Sequence, residues 1–302
     1  MKLKLGVIGV SEGNGHPYSW SAIFNGYNPE IMEECGYPVI PRYLEQQSWP
    51  ESSIPDAEVV AVWTQDIKLS KHIASACNID KAVTHPEDML GMVDAVLLAR
   101  DDAENHLDYA RPFLEARLPI YIDKPLALSS DALEELYALE KYPGQIFTCS
   151  ALRYSKELYL SQADKEQLGE IKIVSAFTPK SWDKYAVHII EPVLNMLPAE
   201  DTPVCFVKGN SLKIEPDDNS GSLSVLWKSG IKTHFMASGD AMTPISIRVM
   251  GTAGWKDLFF SDSFSAFKAA LEAFVRGIKT SEIASPQMFN RQVVELLERG
   301  RV

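Results

Sequence analysis

Short apolar runs that alternate with helical patterns dominate the first half of the chain. The apolar runs predict strands at residues 4–10, 58–64, 93–100, 118–122 and 145–151. Such strands are apolar almost throughout, which is typical of a parallel sheet that is covered by helices on both faces. We therefore expect residues 1–150 to form a doubly wound α/β domain.

The pattern changes after residue 150. From Glu170 onward the chain shows longer runs in which apolar and polar residues alternate, as in β-strands. Tight turn signals such as DDNSG (217–221) connect these runs. These features predict a mostly antiparallel sheet. One helix around His188 and two more at 266–278 and 286–299 accompany it. Residues 151–302 are thus expected to form an α+β domain on an open sheet.

The charge balance and the apolar runs limit the classes of partner. With 41 acidic and 29 basic residues, the net charge of −12 argues against a general binder of nucleic acid. No window approaches the roughly 18 apolar residues of a membrane span. The N-terminus runs directly into a strand pattern instead of a signal peptide, so we expect a cytoplasmic protein with no membrane partner.

The four cysteines are predicted to be reduced structural thiols. They are far apart and form no CxxC pair. The sequence shows no HxxxH, His-Cys or clustered-carboxylate spacing, so we expect a site without a metal.

A glycine-rich turn, GVIGVSEGNGHPYSW, follows the first strand. Glycines at such a turn let a dinucleotide's pyrophosphate approach the backbone at a helix N-terminus. Counted from Gly9, the GxGxxG template requires glycine at two positions that hold Ser11 and Asn14, while Gly13 and Gly15 are offset. These five residues are candidate cofactor contacts, and an ordinary strand–helix turn remains the alternative.

The end of the second strand is where an acid usually binds the ribose hydroxyls of the cofactor. Thr64 occupies the expected position, and Asp66 lies two residues later. Loss of the acid would remove a repulsion against a 2′-phosphate, but no arginine follows immediately. The choice between NAD and NADP stays open, and so does the alternative that Asp66 caps the next helix.

The segment PIYIDKPLAL (119–128) places an acid, a lysine and a proline at the end of an apolar strand. Burial of charge is costly unless the charge is paired or used, and a proline stops the strand from continuing. Asp123, Lys124 and Pro125 are therefore expected at the carboxyl edge of the sheet, where open α/β folds bind ligands.

The order of KLGVIG, the DKP segment, LGEIKIVSAF, DKYAVHIIEPVLNML and GTAGWKDLFF resembles that of the Gfo/Idh/MocA family of nicotinamide-dependent oxidoreductases. The resemblance covers nearly the whole chain and implies an N-terminal Rossmann domain with NAD or NADP. DKP is similar to the family's Glu-Lys-Pro motif, which implies that Lys124 contacts the nicotinamide ribose and the reacting oxygen.

The resemblance implies further site residues. The family's helix histidine falls on His106 and its loop arginine on Arg153, and each is equally open to a purely structural role. Arg100, at the end of the third strand, is a further candidate for cofactor contact.

The family's second motif is an acid, a histidine four residues later and another acid three residues beyond. His188 and Glu191 match its last two positions, but Lys184 stands where the first acid is expected. Asp183 lies five residues before His188, about 140° around a helix, so it cannot replace that acid on the same face. The alternative for His188 is a core histidine.

We expect Lys124 to stabilise the developing alkoxide and His188 to carry the proton, with Tyr185 as a reserve donor. Lys184 is counted with the catalytic residues. Lys124, Arg153, Asp183, Lys184 and His188 are the predicted substrate contacts.

The expected reaction is hydride transfer between nicotinamide and a carbinol or ketone carbon of a sugar, sugar derivative or polyol. Lys124, Lys184 and His188 would place three potential cations in one pocket, which favours an anionic substrate; solvent exposure of Lys184, or its pairing with Asp183 or Glu191, is the alternative. A reductase of a non-sugar ketone or imine, and a non-catalytic ligand-binding or scaffolding protein, also stay open. An exposed sheet face suggests a homodimer or homotetramer.

Overall fold

The computed structural model describes residues 2–209 and 219–301. The chain divides into two compact units. Unit 1 comprises Met1–Ala127, Asp131–Cys149 and Phe267–Gln287, and unit 2 comprises Leu128–Ser130, Ser150–Ala266 and Met288–Val302. The predicted boundary after residue 150 lies beside the division between Cys149 and Ser150. The C-terminal part of the chain contributes to both units, which no local sequence pattern indicated.

Unit 1 contains a six-stranded sheet in the order β3-β2-β1-β4-β5-β6. Every pair of neighbouring strands in it is parallel. This is the strand order of a Rossmann fold. The strands are β1 (Leu3–Ile8), β2 (Ala57–Trp63), β3 (Lys81–Ala82), β4 (Ala95–Leu98), β5 (Ile120–Ile122) and β6 (Ile146–Phe147).

Six helices accompany this sheet along the chain. They are α1 (His16–Asn25), α2 (Pro29–Met32), α3 (Val39–Leu44), α4 (Ile67–Ala76), α5 (His106–Glu115) and α6 (Ser130–Leu139). β4 and β5 are completely buried, and β1 is buried from Leu5 to Ile8, as expected for strands covered on both faces. The predicted doubly wound architecture is therefore confirmed.

Unit 2 contains a second six-stranded sheet in the order β12-β11-β7-β10-β9-β8. β7 and β10 are parallel, and the other neighbours are antiparallel. The strands are β7 (Ile171–Thr178), β8 (Pro203–Lys208), β9 (Gly221–Trp227), β10 (Lys232–Ala237), β11 (Ser246–Gly251) and β12 (Trp255–Phe259). The mostly antiparallel sheet is confirmed. Part of the turn predicted at 217–221 falls within residues 210–218, which lie outside the described residues.

The remaining helices are α7 (Gln162–Leu168), α8 (Trp182–Tyr185), α9 (Val187–Leu194), α10 (Ser263–Thr280) and α11 (Gln287–Gly300). Ile190 of α9 is buried in one apolar cluster with Val174 of β7 and Phe235 of β10. Alternate residues of the strands, such as Phe177 and Met236, are exposed instead. The sheet of unit 2 therefore has one buried and one exposed face.

Across residues 2–209 and 219–301, no helix is both long and apolar enough to span a membrane. The same residues contain no group of three or more His, Cys, Asp or Glu side chains arranged to hold a metal ion. All four cysteines are unbonded, and only Cys205 is exposed.

Candidate functional site

The loops that follow β1, β4 and β5 lie at one edge of the parallel sheet, because the carboxyl ends of parallel strands share an edge. In open α/β folds this edge is where ligands bind. The glycine turn follows β1, an Arg-Asp-Asp run at 100–102 follows β4, and the DKP segment follows β5. The fold thus brings together three segments that are far apart in sequence.

The buried carboxylate of Asp123 connects the glycine turn to the DKP segment. Its Oδ2 accepts a hydrogen bond of 2.8 Å from Asn14 Nδ2 and lies 2.7 Å from His16 Nδ1, while Oδ1 accepts the Lys124 N–H at 2.8 Å. Burial acts to raise the pKa of Asp123. The charge and hydrogen bond of His16, the charge of Lys124 and the Asn14 amide outweigh it and lower the pKa to about 2. Asp123 is therefore an ionised anchor.

Lys124 is buried, with 6% of its surface exposed. Its Nζ lies 3.7 Å from Asp101 Oδ2, and Asp101 Oδ1 accepts a hydrogen bond of 2.6 Å from the Ser11 hydroxyl. A buried ammonium at this edge can donate to an oxygen on which negative charge develops, which is the requirement of carbinol oxidation and ketone reduction.

Asp101 and His16 were not predicted as site residues. The Arg-Asp-Asp run directly after an apolar strand was an available signal for Asp101, since it resembles the DKP segment in placing charge at a strand end. His16 had no comparable signal. Its ring stacks on Trp20, one turn further along α1, at 4.9 Å. It meets Phe267 edge-on at 5.0 Å, a contact that depends on the tertiary fold.

Glycines of the turn have two different functions. A Cβ on Gly9 would come within 2.2 Å of Pro17 Cγ, and one on Gly15 within 2.7 Å of Tyr37. These two glycines are required by packing around the start of α1. Gly13 instead has φ +76° and faces open space, so it is the position at which a ligand can approach the backbone.

The donors of this turn fit a dinucleotide pyrophosphate. In the part of the chain that the structure describes, the N–H groups of Ser11, Glu12, Gly13 and Gly15 donate to no protein acceptor. They lie at a strand-to-helix turn, where backbone N–H groups bind phosphate. The Asn14 side chain points inward to Asp123. The cofactor contact predicted for Asn14 stays a prediction.

Thr64 and Asp66 are engaged in the turn that leads into α4. Asp66 caps the helix by accepting the Lys68 N–H at 2.8 Å, and the Thr64 hydroxyl donates to the Asp66 carbonyl at 2.7 Å. The capping alternative for Asp66 is therefore observed. Gln65, which was not predicted, pairs with both main-chain groups of Val10 at 2.8 and 3.1 Å.

Arg100 and His106 hold together the segments that follow β1, β4 and β5. Arg100 Nη1 donates to the Val10 carbonyl at 2.8 Å, and its guanidinium pairs with Asp102. His106 has no exposed surface, and its ring nitrogens lie 2.8 Å from the Arg100 carbonyl and 3.1 Å from the Leu126 carbonyl. A fully enclosed ring cannot touch a cofactor, so the structural alternative describes His106.

In unit 2, His188 lies in the first turn of α9. Its Nδ1 is 2.8 Å from the Ser150 hydroxyl, and its ring meets the Tyr185 ring edge-on at 5.5 Å. The bond to Ser150 orients the imidazole, and proton transfer by His188 stays a prediction. Ser150 follows the predicted strand at 145–151 and was not itself predicted.

Glu191 lies one turn beyond His188 and is buried with Arg153. Its Oε1 accepts the Ser150 N–H at 2.8 Å, whereas Oε2 is 3.2 Å from Arg153 Nε without the alignment of a hydrogen bond. Burial raises the pKa of Glu191 to about 7, against the opposing effects of Arg153 and the Ser150 N–H. Arg153 is itself buried, beside Phe289 at 4.7 Å, and its contact with the substrate stays a prediction.

Replacement of Glu191 by glutamine should change the pH dependence of stability. Between about pH 4.5 and 7 the unfolded state releases the Glu191 proton before the folded state does, so wild-type stability falls as pH rises through this range. Glutamine cannot titrate. The melting temperature of Glu191→Gln relative to wild type should therefore rise from pH 5 to 7, by up to about 5 °C, and then level off. Calorimetric scans at several pH values test this, and a constant difference would contradict it.

Helix α8 directly precedes α9, and Ala186 between the two helices keeps helical dihedral angles. Lys184 and His188 therefore remain four residues apart on nearly continuous helix. Asp183 accepts a hydrogen bond of 2.8 Å from Arg301 Nε. The Tyr185 hydroxyl oxygen accepts one of 2.6 Å from Lys180 Nζ, a residue that was not predicted.

Residues 36–150 match the model of the oxidoreductase family with an NAD-binding Rossmann fold, Gfo/Idh/MocA. They are a Gfo/Idh/MocA Rossmann domain. This match confirms the predicted family, its oxidoreductase class and a nicotinamide dinucleotide, NAD or NADP, as the cofactor. The glycine turn precedes the matched residues. No curated protein sequence matches the chain.

Solved structures of similar fold cover nearly the whole chain. Myo-inositol 2-dehydrogenase from Lactobacillus plantarum has a TM-score of 0.72 and 14% identity, over 99% of this chain and 96% of its own. Scyllo-inositol dehydrogenase from Lactobacillus casei has a TM-score of 0.71 and 14% identity, over 98% of this chain and 94% of its own. UDP-N-acetylglucosamine 3-dehydrogenase from Acidithiobacillus ferrooxidans has a TM-score of 0.70 and 14% identity, over 100% of this chain and 97% of its own. At this identity the likeness establishes the fold alone.

Proposed function

We propose that this protein transfers a hydride between a nicotinamide cofactor and a carbinol or ketone carbon of a sugar, sugar derivative or polyol. The observation that carries the proposal is the buried ammonium of Lys124, in the DKP segment at the carboxyl edge of the Rossmann sheet. The named dehydrogenases of similar fold act on inositols and on a nucleotide sugar. These are hydroxylated rings, which supports the substrate class.

Two of the predicted catalytic residues, Lys124 and His188, act on the substrate oxygen in this proposal. The nicotinamide supplies or accepts the hydride. Lys124 donates to the substrate oxygen and stabilises its negative charge, while Asp101 holds the ammonium in place. His188, oriented by Ser150, transfers the proton. Arg100 and Pro125 maintain the shape of the loops around Lys124.

The substrate is proposed to be anionic. Lys184 and His188 are four residues apart on nearly continuous helix. The Lys184 charge next to His188 then favours a carboxylate or phosphate on the substrate.

A panel of substrates tests the proposed function. Inositols, hexoses, uronates, sugar phosphates and nucleotide sugars are each incubated with the protein and either NAD or NADP. We expect formation of the reduced cofactor with at least one of them, and the preferred dinucleotide identifies the cofactor. Binding of the dinucleotide without turnover of any member of the panel would favour the non-catalytic alternative.

The protein is also proposed to be a cytoplasmic homodimer or homotetramer. The exposed face of the unit 2 sheet presents Phe177, Met236 and Phe259 in neighbouring register positions, and Trp255 lies on the same face. Exposed apolar side chains in this arrangement are typical of an interface. Light scattering of the purified protein reads its mass, and a monomer would contradict the proposal.

A further inference from the structure

Ser11 and Asn14 stand at the two positions where the GxGxxG template requires glycine. Both side chains are buried. At a turn where pyrophosphate approaches the backbone, a side chain takes up space that glycine leaves open, so its presence there needs a physical reason. Each of the two side chains donates a hydrogen bond to a carboxylate that in turn contacts Lys124.

The Ser11 hydroxyl forms a two-way pair with Asp101. It donates to Asp101 Oδ1 at 2.6 Å and accepts the Asp101 N–H at 3.1 Å. Both residues are buried, where loss of a hydrogen-bond partner is costly. The pair therefore holds the Asp101 carboxylate in one orientation.

The other oxygen of that carboxylate, Oδ2, lies 3.7 Å from Lys124 Nζ. A lysine ammonium ends a flexible four-carbon stem with many rotamers, and the charge of Asp101 attracts it to one place. Because Ser11 holds Oδ1, the position of Oδ2 is defined as well. Ser11 thus acts on the ammonium of Lys124 through Asp101.

Asn14 makes a corresponding connection to the main chain of Lys124. Its amide donates to Asp123 Oδ2 at 2.8 Å, and Asp123 Oδ1 accepts the Lys124 N–H at 2.8 Å. The glycine turn is therefore bonded to the carboxylate beside the Lys124 main chain and, through Ser11, to the carboxylate beside its ammonium.

We propose that Ser11 is a positioning residue, which places the Lys124 ammonium through Asp101 and so connects the cofactor turn to the group that acts on the substrate. The inference rests on the proposed function of Lys124. It also explains a serine at a template glycine, because the main-chain N–H of Ser11 stays available to a pyrophosphate while its side chain holds Asp101.

Ser11→Gly restores the residue of the template and separates the two functions. Glycine keeps the N–H and the open space, so the affinity for NAD or NADP, measured by calorimetry, should be retained. The turnover number at saturating cofactor and substrate should fall about tenfold or more, because a small displacement of a catalytic group has a large effect on rate. Ser11→Ala should behave in the same way, and Ser11→Thr, which keeps a hydroxyl, should recover most of the turnover.

The placement of Lys124 can also be measured without any substrate. In the ¹³Cε–¹Hε correlation spectrum of protein with ¹³C-labelled lysine, the Lys124 signal is the one that Lys124→Met removes. It should move in Ser11→Gly and Ser11→Ala and return toward its wild-type position in Ser11→Thr. Ser285→Ala is the matched control, because the buried Ser285 hydroxyl forms the same kind of two-way pair, with the main chain of Thr148. It should leave the signal and the turnover number unchanged.

An unchanged Lys124 signal in a folded Ser11→Gly would overturn the inference, and so would a turnover number equal to that of the wild type. Ser11→Ala takes the place of Ser11→Gly if the latter does not fold. A wild type that turns over no substrate would contradict the proposed function instead, and the spectrum would still decide whether Ser11 places Lys124.

Discussion

Replacement of Lys124 by methionine is expected to lower the turnover number by about a hundredfold or more. Methionine keeps much of the apolar stem but removes the charge and the donors, and losses of this size are typical of a missing proton-transfer or oxyanion group. Steady-state kinetics with the best substrate of the panel measures the effect. A folded Lys124→Met protein with nearly normal turnover would show that another residue has the catalytic role.

Loss of Lys124 has a second consequence that needs a control. Asp101 is 8% exposed, and removal of its ammonium partner leaves a buried charge, which typically costs about 3–5 kcal/mol. The double variant Lys124→Met, Asp101→Asn removes that charge as well. We expect it to recover stability without recovering turnover. Recovery of both would mean that the single variant lost activity through its fold.

Replacement of Gly13 by alanine is expected to weaken binding of the nicotinamide dinucleotide by about tenfold or more. The added methyl group would occupy the open space through which a pyrophosphate approaches the turn. Gly36→Ala is a matched control, because Gly36 also has a positive φ, +82°, and also faces open space. The two variants should therefore lose similar stability, on the order of 1 kcal/mol.

Calorimetric titration with NAD and NADP separates the two variants. We expect weaker binding for Gly13→Ala and wild-type affinity for Gly36→Ala. Equal affinities in both would mean that the turn does not hold the pyrophosphate. Gly9→Val is unsuitable for this purpose, since a side chain at Gly9 would collide with Pro17 and disturb the start of α1.

The sequence allowed the fold to be predicted because its strongest signals are periodic. β1, β2 and β5 are apolar runs next to helical patterns, and DKP places charge where β5 ends. β3 was not predicted, because it contains two residues, Lys81 and Ala82, and neither is buried. A strand this short has no alternation from which it could be recognised.

The candidate site was predictable in its charged residues and unpredictable in its contacts. Lys124 and His188 stand in recognisable segments, whereas Asp123 meets His16 across 107 positions of sequence. The left-handed conformation of Lys180 depends on its bridge to Gly239. No local pattern encodes a contact between segments so far apart, and thus the roles of His16 and Lys180 became visible only in the folded chain.

In the proposed reaction, a hydride moves from a carbinol carbon to nicotinamide. The most direct measurement uses a substrate from the panel with deuterium on the reacting carbon, and mass spectrometry of the reduced cofactor. With the wild type, the deuterium should appear on the cofactor, and Lys124→Met should slow its transfer by about a hundredfold or more. Product that forms while the deuterium is released to water would contradict hydride transfer.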